Sequence, residues 1–137
     1  MHEFALAEGV AVTALEGART AGLRRITRLA ISIGELQQLD RELFAAVLRE
    51  VMPQIHAELE AVEVELRTVP AVLGCRACGR EFGWDACVAS LGQTAAEAVH
   101  FVPELVHAYV RCPQCGSPDY AIVRGRGVWL DQVEGLP

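Results

Sequence analysis

The apolar positions of this chain repeat first at a helical spacing and then at a strand spacing. Over residues 4–21, Phe4, Ala7, Ala11, Ala14, Leu15 and Ala18 recur every three to four positions, which predicts a helix with one apolar stripe and Gly22 as its stop. The next run, RITRLAISIG at Arg25–Gly34, sets Leu29, Ile31 and Ile33 against polar neighbours and predicts a strand. A second helix begins near Asp40, with Leu43, Phe44, Val47, Leu48 and Val51 as its stripe. Pro53 is expected to end or kink it, because its ring removes an amide donor. A short helical turn fits 54–60, and VEVELRTV at 62–69 alternates as a second strand that Pro70 closes.

The periodicity changes over 74–116 and returns in GRGVWLDQV at 125–133, which reads as another strand. Two strands alone make a weak sheet. The last strand is therefore expected to rejoin the first module, making the segment between an excursion rather than a tail. The pattern predicts an α+β fold: two helices on a three-stranded sheet from residues 1–70 plus 124–137, with 71–123 inserted as a second domain.

Composition narrows the function classes. Of 137 residues, 52% are hydrophobic and 22% charged, the balance of a soluble globular chain. The net charge of −6 is shared by both halves, so neither carries the basic surplus that phosphate-backbone binding requires. All 12 cationic residues are arginine, which excludes Schiff-base lysine chemistry and a lysine-dependent phosphate loop. The acidic start argues against a secretory signal, and no apolar run approaches the roughly 18 residues that span a bilayer. A cytoplasmic location is expected, where paired thiols stay reduced and read as metal ligands.

Four of the five cysteines form two such pairs, GCRACG at 74–79 and RCPQCG at 111–116. Two thiolates two residues apart reach one ion from a tight turn, and the glycine that follows tolerates positive φ. Cys75, Cys78, Cys112 and Cys115 thus supply the closed sulfur shell of a structural zinc site. Cys87 has no paired neighbour and reads as a small core residue. The 33 residues between the pairs exceed a simple ribbon hairpin. Residues 94–102 there look helical, and the segment reads as either a packed cap or a partner contact. His56, His100 and His107 read as surface or packed side chains.

The chain opens with MHE. The α-amine of Met1, the amide nitrogen of His2 and its imidazole can form fused chelate rings around one ion. The amide nitrogen of Glu3 or a carboxylate can complete a square-planar set of the kind that suits Ni(II) or Cu(II). A solvated chain end that happens to carry a histidine is the plainer alternative.

MHE, the helix running into LAEG, the segment ISIGELQQLDRELF and the two CxxCG knuckles together resemble the HypA family of nickel metallochaperones for hydrogenase maturation. The resemblance spans Met1 to Cys115 and the closing strand. It implies a small α/β nickel-binding domain with a zinc ribbon, His2 as principal nickel ligand with backbone nitrogens beside it, Glu3 supporting or joining the site, and Asp40 as a further ligand. Asp40 is equally placed to cap the second helix, and Glu3 suits a helix N-terminus with or without a metal. It also implies Zn²⁺ held by the four paired cysteines and Ni²⁺ carried transiently. Implied partners are a nickel-handling maturation GTPase and a hydrogenase large subunit, with urease maturation proteins as a second destination. Neither nucleic acid nor membrane is expected, a homodimer stays open, and no assembled nucleophile and base marks an enzyme. The long link between the knuckles departs from the shorter one usual in the family. Two rivals share the knuckles: a zinc-ribbon interaction or nucleic-acid module without nickel, which only eight aromatics and an acidic balance do not favour, and a thiol redox enzyme using one CxxC pair.

Overall fold

The computed structural model describes residues 2–88 and 91–137; the side chains of His2 and Val88 lie outside the description. The elements run α1 (His2–Thr20), β1 (Arg25–Gly34), α2 (Arg41–Ile55), β2 (Glu63–Val69), β3 (Val72–Cys75), β4 (Glu81–Gly83), α3 (Asp85–Val88), α4 (Gln93–Phe101), α5 (Val106–Tyr109), β5 (Tyr120–Arg124) and β6 (Val128–Leu136). The chain divides into two compact units, residues 1–32, 39–67 and 128–137 against residues 33–38 and 68–127.

The first unit packs α1 and α2 on a sheet ordered β2-β1-β6, so the last strand does return to the first module. Its core follows the predicted stripes. Ala7, Ala11, Ala14, Leu15 and Ala18 of α1 meet Leu29 and Ile31 of β1 and Phe44, Leu48 and Val51 of α2, all buried. The alanines let the two helices approach closely. Phe4 and Leu43, read as part of those stripes, are instead about half exposed at 45% and 48%. Each is the third residue of its helix.

Helix α2 begins where expected, because Asp40 Oδ1 accepts from the amides of Glu42 and Leu43 at 3.0 and 3.1 Å. Pro53 does not end it; the helix runs on to Ile55. The ring sits in the last turn, where it removes the partner of one exposed carbonyl, and His56 N–H still closes on the Met52 carbonyl at 3.3 Å. His56 then caps the turn at 57–59, its Nδ1 accepting from the Glu58 amide.

The second unit holds a sheet ordered β4-β3-β5, antiparallel throughout, with Leu73 opposite Phe82 and Cys75 opposite Tyr120. Residues 33–38 belong here. The short helical turn Glu35–Gln37 buries Leu36 in the same cluster as Leu73, Cys87, Val99, Val106 and Tyr120. The Glu35 carboxylate accepts from the Ala71 amide at 2.8 Å, and Gln38 Nε2 donates to the Ala96 carbonyl at 3.0 Å. The final strand begins three residues later than the pattern predicts, because 125–127 form a turn instead. Gly125 has φ +95°, and a Cβ there would strike the Ala71 backbone. The turn is pinned by Gly127 N–H to Gln37 Oε1 at 2.9 Å.

Candidate metal centres

Two knuckles of one design bring four thiols together. In the first, Cys75 ends β3; its N–H donates to the Arg80 carbonyl at 2.8 Å, and Gly79 N–H donates back to the Cys75 carbonyl at 2.9 Å. In the second, Cys112 N–H donates to Ser117 O at 2.9 Å and Gly116 N–H to Cys112 O at 2.8 Å. Both turns close on a glycine in the left-handed region, Gly79 at φ +77° and Gly116 at φ +75°, which is why each CxxC is followed by glycine. An ion pair between Arg76 and Asp119 at 2.9 Å and a backbone bond between the same residues tie one knuckle to the other.

All four sulfurs lie within 4.8 Å of one another. Cys75 Sγ is 3.5 Å from Cys115 Sγ, and Cys78 Sγ is 3.8 Å from Cys112 Sγ, so the close pairs run between knuckles rather than within them. These are free thiols, far beyond disulfide length. A zinc tetrahedron with bonds of about 2.3 Å has sulfur–sulfur edges of about 3.8 Å, and the observed separations match it. Cys75 and Cys112 are buried, while Cys78 and Cys115 are exposed, so the centre is covered on one side.

The electrostatics of the cluster favour a cation. The Cys112 thiol is drawn down to about 7, first by the Cys115 amide and then by the Gln114 amide and the Cys75 and Cys78 thiols, against burial. Cys115 goes the other way, to about 12. The Ser117 amide favours its anion, but the Cys75 sulfur, burial and the remaining sulfurs outweigh it. Four thiolates cannot share so small a volume unaided; a divalent ion removes the conflict. The donor set therefore fits Zn²⁺ in a closed, structural site.

The remaining candidates divide between the two units. Cys87 is fully buried, 3.5 Å from the Gly83 carbonyl, and burial followed by the Glu35 charge pushes its thiol up to about 11. His107 stacks on Tyr120 with ring centroids 4.3 Å apart, and His100 Nδ1 contacts the Gln37 carbonyl. Both are packing groups, and the segment between the knuckles is a packed part of the unit's core through Cys87, Val99 and Val106. Asp40 stands at the α2 cap and Glu3 in the first turn of α1, both in the first unit. Met1 and the His2 side chain lie outside the described residues. The His2 main chain opens α1.

One structural residue had no counterpart in the sequence reading. Tyr120 is the largest fully buried side chain; its hydroxyl reaches the carbonyls of Val106 and Val110 at 3.0 and 2.8 Å, and burial followed by the Cys87 charge pushes it up to about 12. It ties α5 to the strand leaving the second knuckle. Its place two residues after a proline and beside an aspartate gave no sign of burial.

A family model described as hydrogenase/urease nickel incorporation, metallochaperone, hypA matches residues 1–135. A hydrogenase maturation factor HypA from Thermococcus sibiricus is 39% identical over 134 residues, covering 98% of this chain and 96% of its own. Its namesake from Pyrococcus abyssi is 35% identical over 130 residues, covering 95% and 92%. Both relatives are covered almost end to end, so they are close to this chain in length. The solution structure of the Ni metallochaperone HypA from Helicobacter pylori superposes with a TM-score of 0.64 at 18% identity, covering 98% of this chain and 97% of that one, which shows a shared fold. Among the described residues, no helix is long and apolar enough to cross a membrane.

Proposed function

This chain belongs to the HypA family of nickel metallochaperones, the hydrogenase maturation factors, and from that premise we propose that its Ni(II) is carried at the N-terminus by His2, adjoining main-chain nitrogens and Glu3. The supporting observation is that α1 starts at His2. The first amides of a helix have no intrahelical acceptor. The amide nitrogens of His2 and Glu3 can therefore turn to a metal without costing α1 a hydrogen bond. The positive end of the helix dipole disfavours a cation there. Deprotonated amide nitrogen and the Glu3 carboxylate supply the compensating negative charge. The set holds nickel only while those protons are off, a design suited to release.

Asp40 serves as the α2 cap in this reading, with its second carboxylate oxygen as the only route to a ligand role. The protein hands Ni(II) to a hydrogenase large subunit, with a nickel-handling GTPase as partner and urease maturation as a second destination. It acts in the cytoplasm as a carrier and catalyses no reaction. The test is nickel-edge X-ray absorption on zinc-loaded protein. Nitrogen and oxygen neighbours without sulfur, lost in His2→Ala, support the reading; sulfur neighbours, or an unchanged spectrum in His2→Ala, overturn it.

A further inference from the structure

We propose that the groove between α2 and the free edge of β2 takes an extended segment of a partner protein as a fourth strand, through an acid-x-apolar-x-acid pattern. The order β2-β1-β6 leaves β2 at an edge among the described residues. An edge strand presents backbone donors and acceptors that an incoming strand can use. At this edge the Leu66 carbonyl accepts a 2.6 Å bond from Arg41 Nη2, so an incoming amide takes over that carbonyl and frees the guanidinium for the incoming acid. Val64, two residues away, turns its backbone groups to the same side. The groove beside them encloses about 660 Å³ between Val64 and Leu66 on one wall and Arg41, Glu42, Ala45 and Arg49 on the other.

The spacing and charge of the helical wall select the occupant. Arg41, Ala45 and Arg49 are four residues apart in turn, steps of about 6 Å along a helix. Alternate residues of a strand advance by about 6.6 Å, so positions i, i+2 and i+4 of an added strand repeat at nearly the spacing of those three. Neither arginine pairs with a carboxylate among the described residues, and Glu42 is the one acid on the wall. An acid, an apolar residue and an acid meet this wall. A second copy of β2 does not match it, since its Glu63 and Glu65 are only two residues apart and the chain already carries −6. The proposal is independent of where nickel binds.

The test uses full-length, zinc-loaded protein without nickel. The probe is the capped peptide Thr-Glu-Thr-Val-Thr-Glu-Thr, compared with the same peptide carrying glutamine for both acids. Binding of the acidic probe about tenfold tighter at low salt, abolished as a preference by Arg49→Gln with Arg41→Gln, is the expected result. Amide exchange at Val64 and Leu66 should slow on binding. Equal affinity for the two peptides, or protection elsewhere with the β2 amides unchanged, overturns the proposal. A dimer in sedimentation that the double arginine variant dissolves assigns the edge to a second copy and overturns it equally.

Discussion

The two proposed metal sites of this molecule are built in opposite ways. The zinc cluster draws four side chains of one kind from turns 37 residues apart and fixes them with the hydrogen bonds of two matching knuckles. The proposed nickel set uses consecutive residues at a helix start, and backbone nitrogen for much of its chemistry. The first is closed and satisfied, and losing its ion leaves four sulfurs in conflict. The second is open, opposed by the helix dipole and dependent on proton removal. Permanence and release follow from the choice of ligands before any partner acts.

Breaking the closed site should have the largest effect. Cys112→Ser removes a ligand from a site of a class in which zinc binding is worth about 10–16 kcal/mol, comparable with or larger than a whole domain's stability. The second unit should unfold and lose zinc, measured by metal content and near-ultraviolet dichroism, while α1 and α2 keep their far-ultraviolet signal. Loss of helical signal from both units would show that the comparison divides the molecule wrongly.

Smaller changes sharpen the division. Tyr120→Phe leaves two buried carbonyls without the hydroxyl and should cost the second unit about 1–2 kcal/mol with zinc still bound, read in urea unfolding. Asp40→Ala should cost about 1 kcal/mol through the lost cap, and Asp40→Asn should restore it. Nickel affinity equal to wild type in the Asn variant marks Asp40 as a cap only; a loss there returns it to the ligand set.

Cys87→Ser should have the smallest effect, with zinc content unchanged and the new hydroxyl donating to the Gly83 carbonyl. The Cys87 thiol itself is raised from 9.0 to about 11 in the folded protein. The unfolded chain therefore releases this proton first, and the stability tied to keeping Cys87 neutral is lost as pH rises from about 9 to 11. Wild type should lose stability over that window by more than Cys87→Ser does. Fast alkylation of Cys87 at pH 8 in zinc-loaded protein would contradict the burial.

Much of this was legible in the chain because the signals are local. Period-three-to-four alanines gave α1, alternation gave β1 and β2, Asp40 announced its helix, and CxxCG carries both ligands and the glycine that shapes each turn. What the sequence hid depends on distant partners. Leu36 sits in a short turn after a strand, and nothing nearby says that it packs beside Val99 and Tyr120. The late start of β6 follows from Gly125 lying against Ala71, a contact made across 54 positions. Phe4 and Leu43 fitted the stripe and are still half exposed, because periodicity assigns a face but not how far along it the packing extends.

The central claim is that nickel and zinc occupy independent sites and that the nickel site depends on a native chain start. Calorimetric titration of Ni(II) into zinc-loaded native protein, a short N-terminal extension and His2→Ala tests it most directly. Both changes should weaken nickel binding, His2→Ala the more, and affinity in the native protein should fall as pH drops through about 6–6.5, where imidazole takes up its proton. Zinc content should stay constant in all three. Equal nickel affinity across them would contradict the account and leave MHE as no more than the first turn of α1.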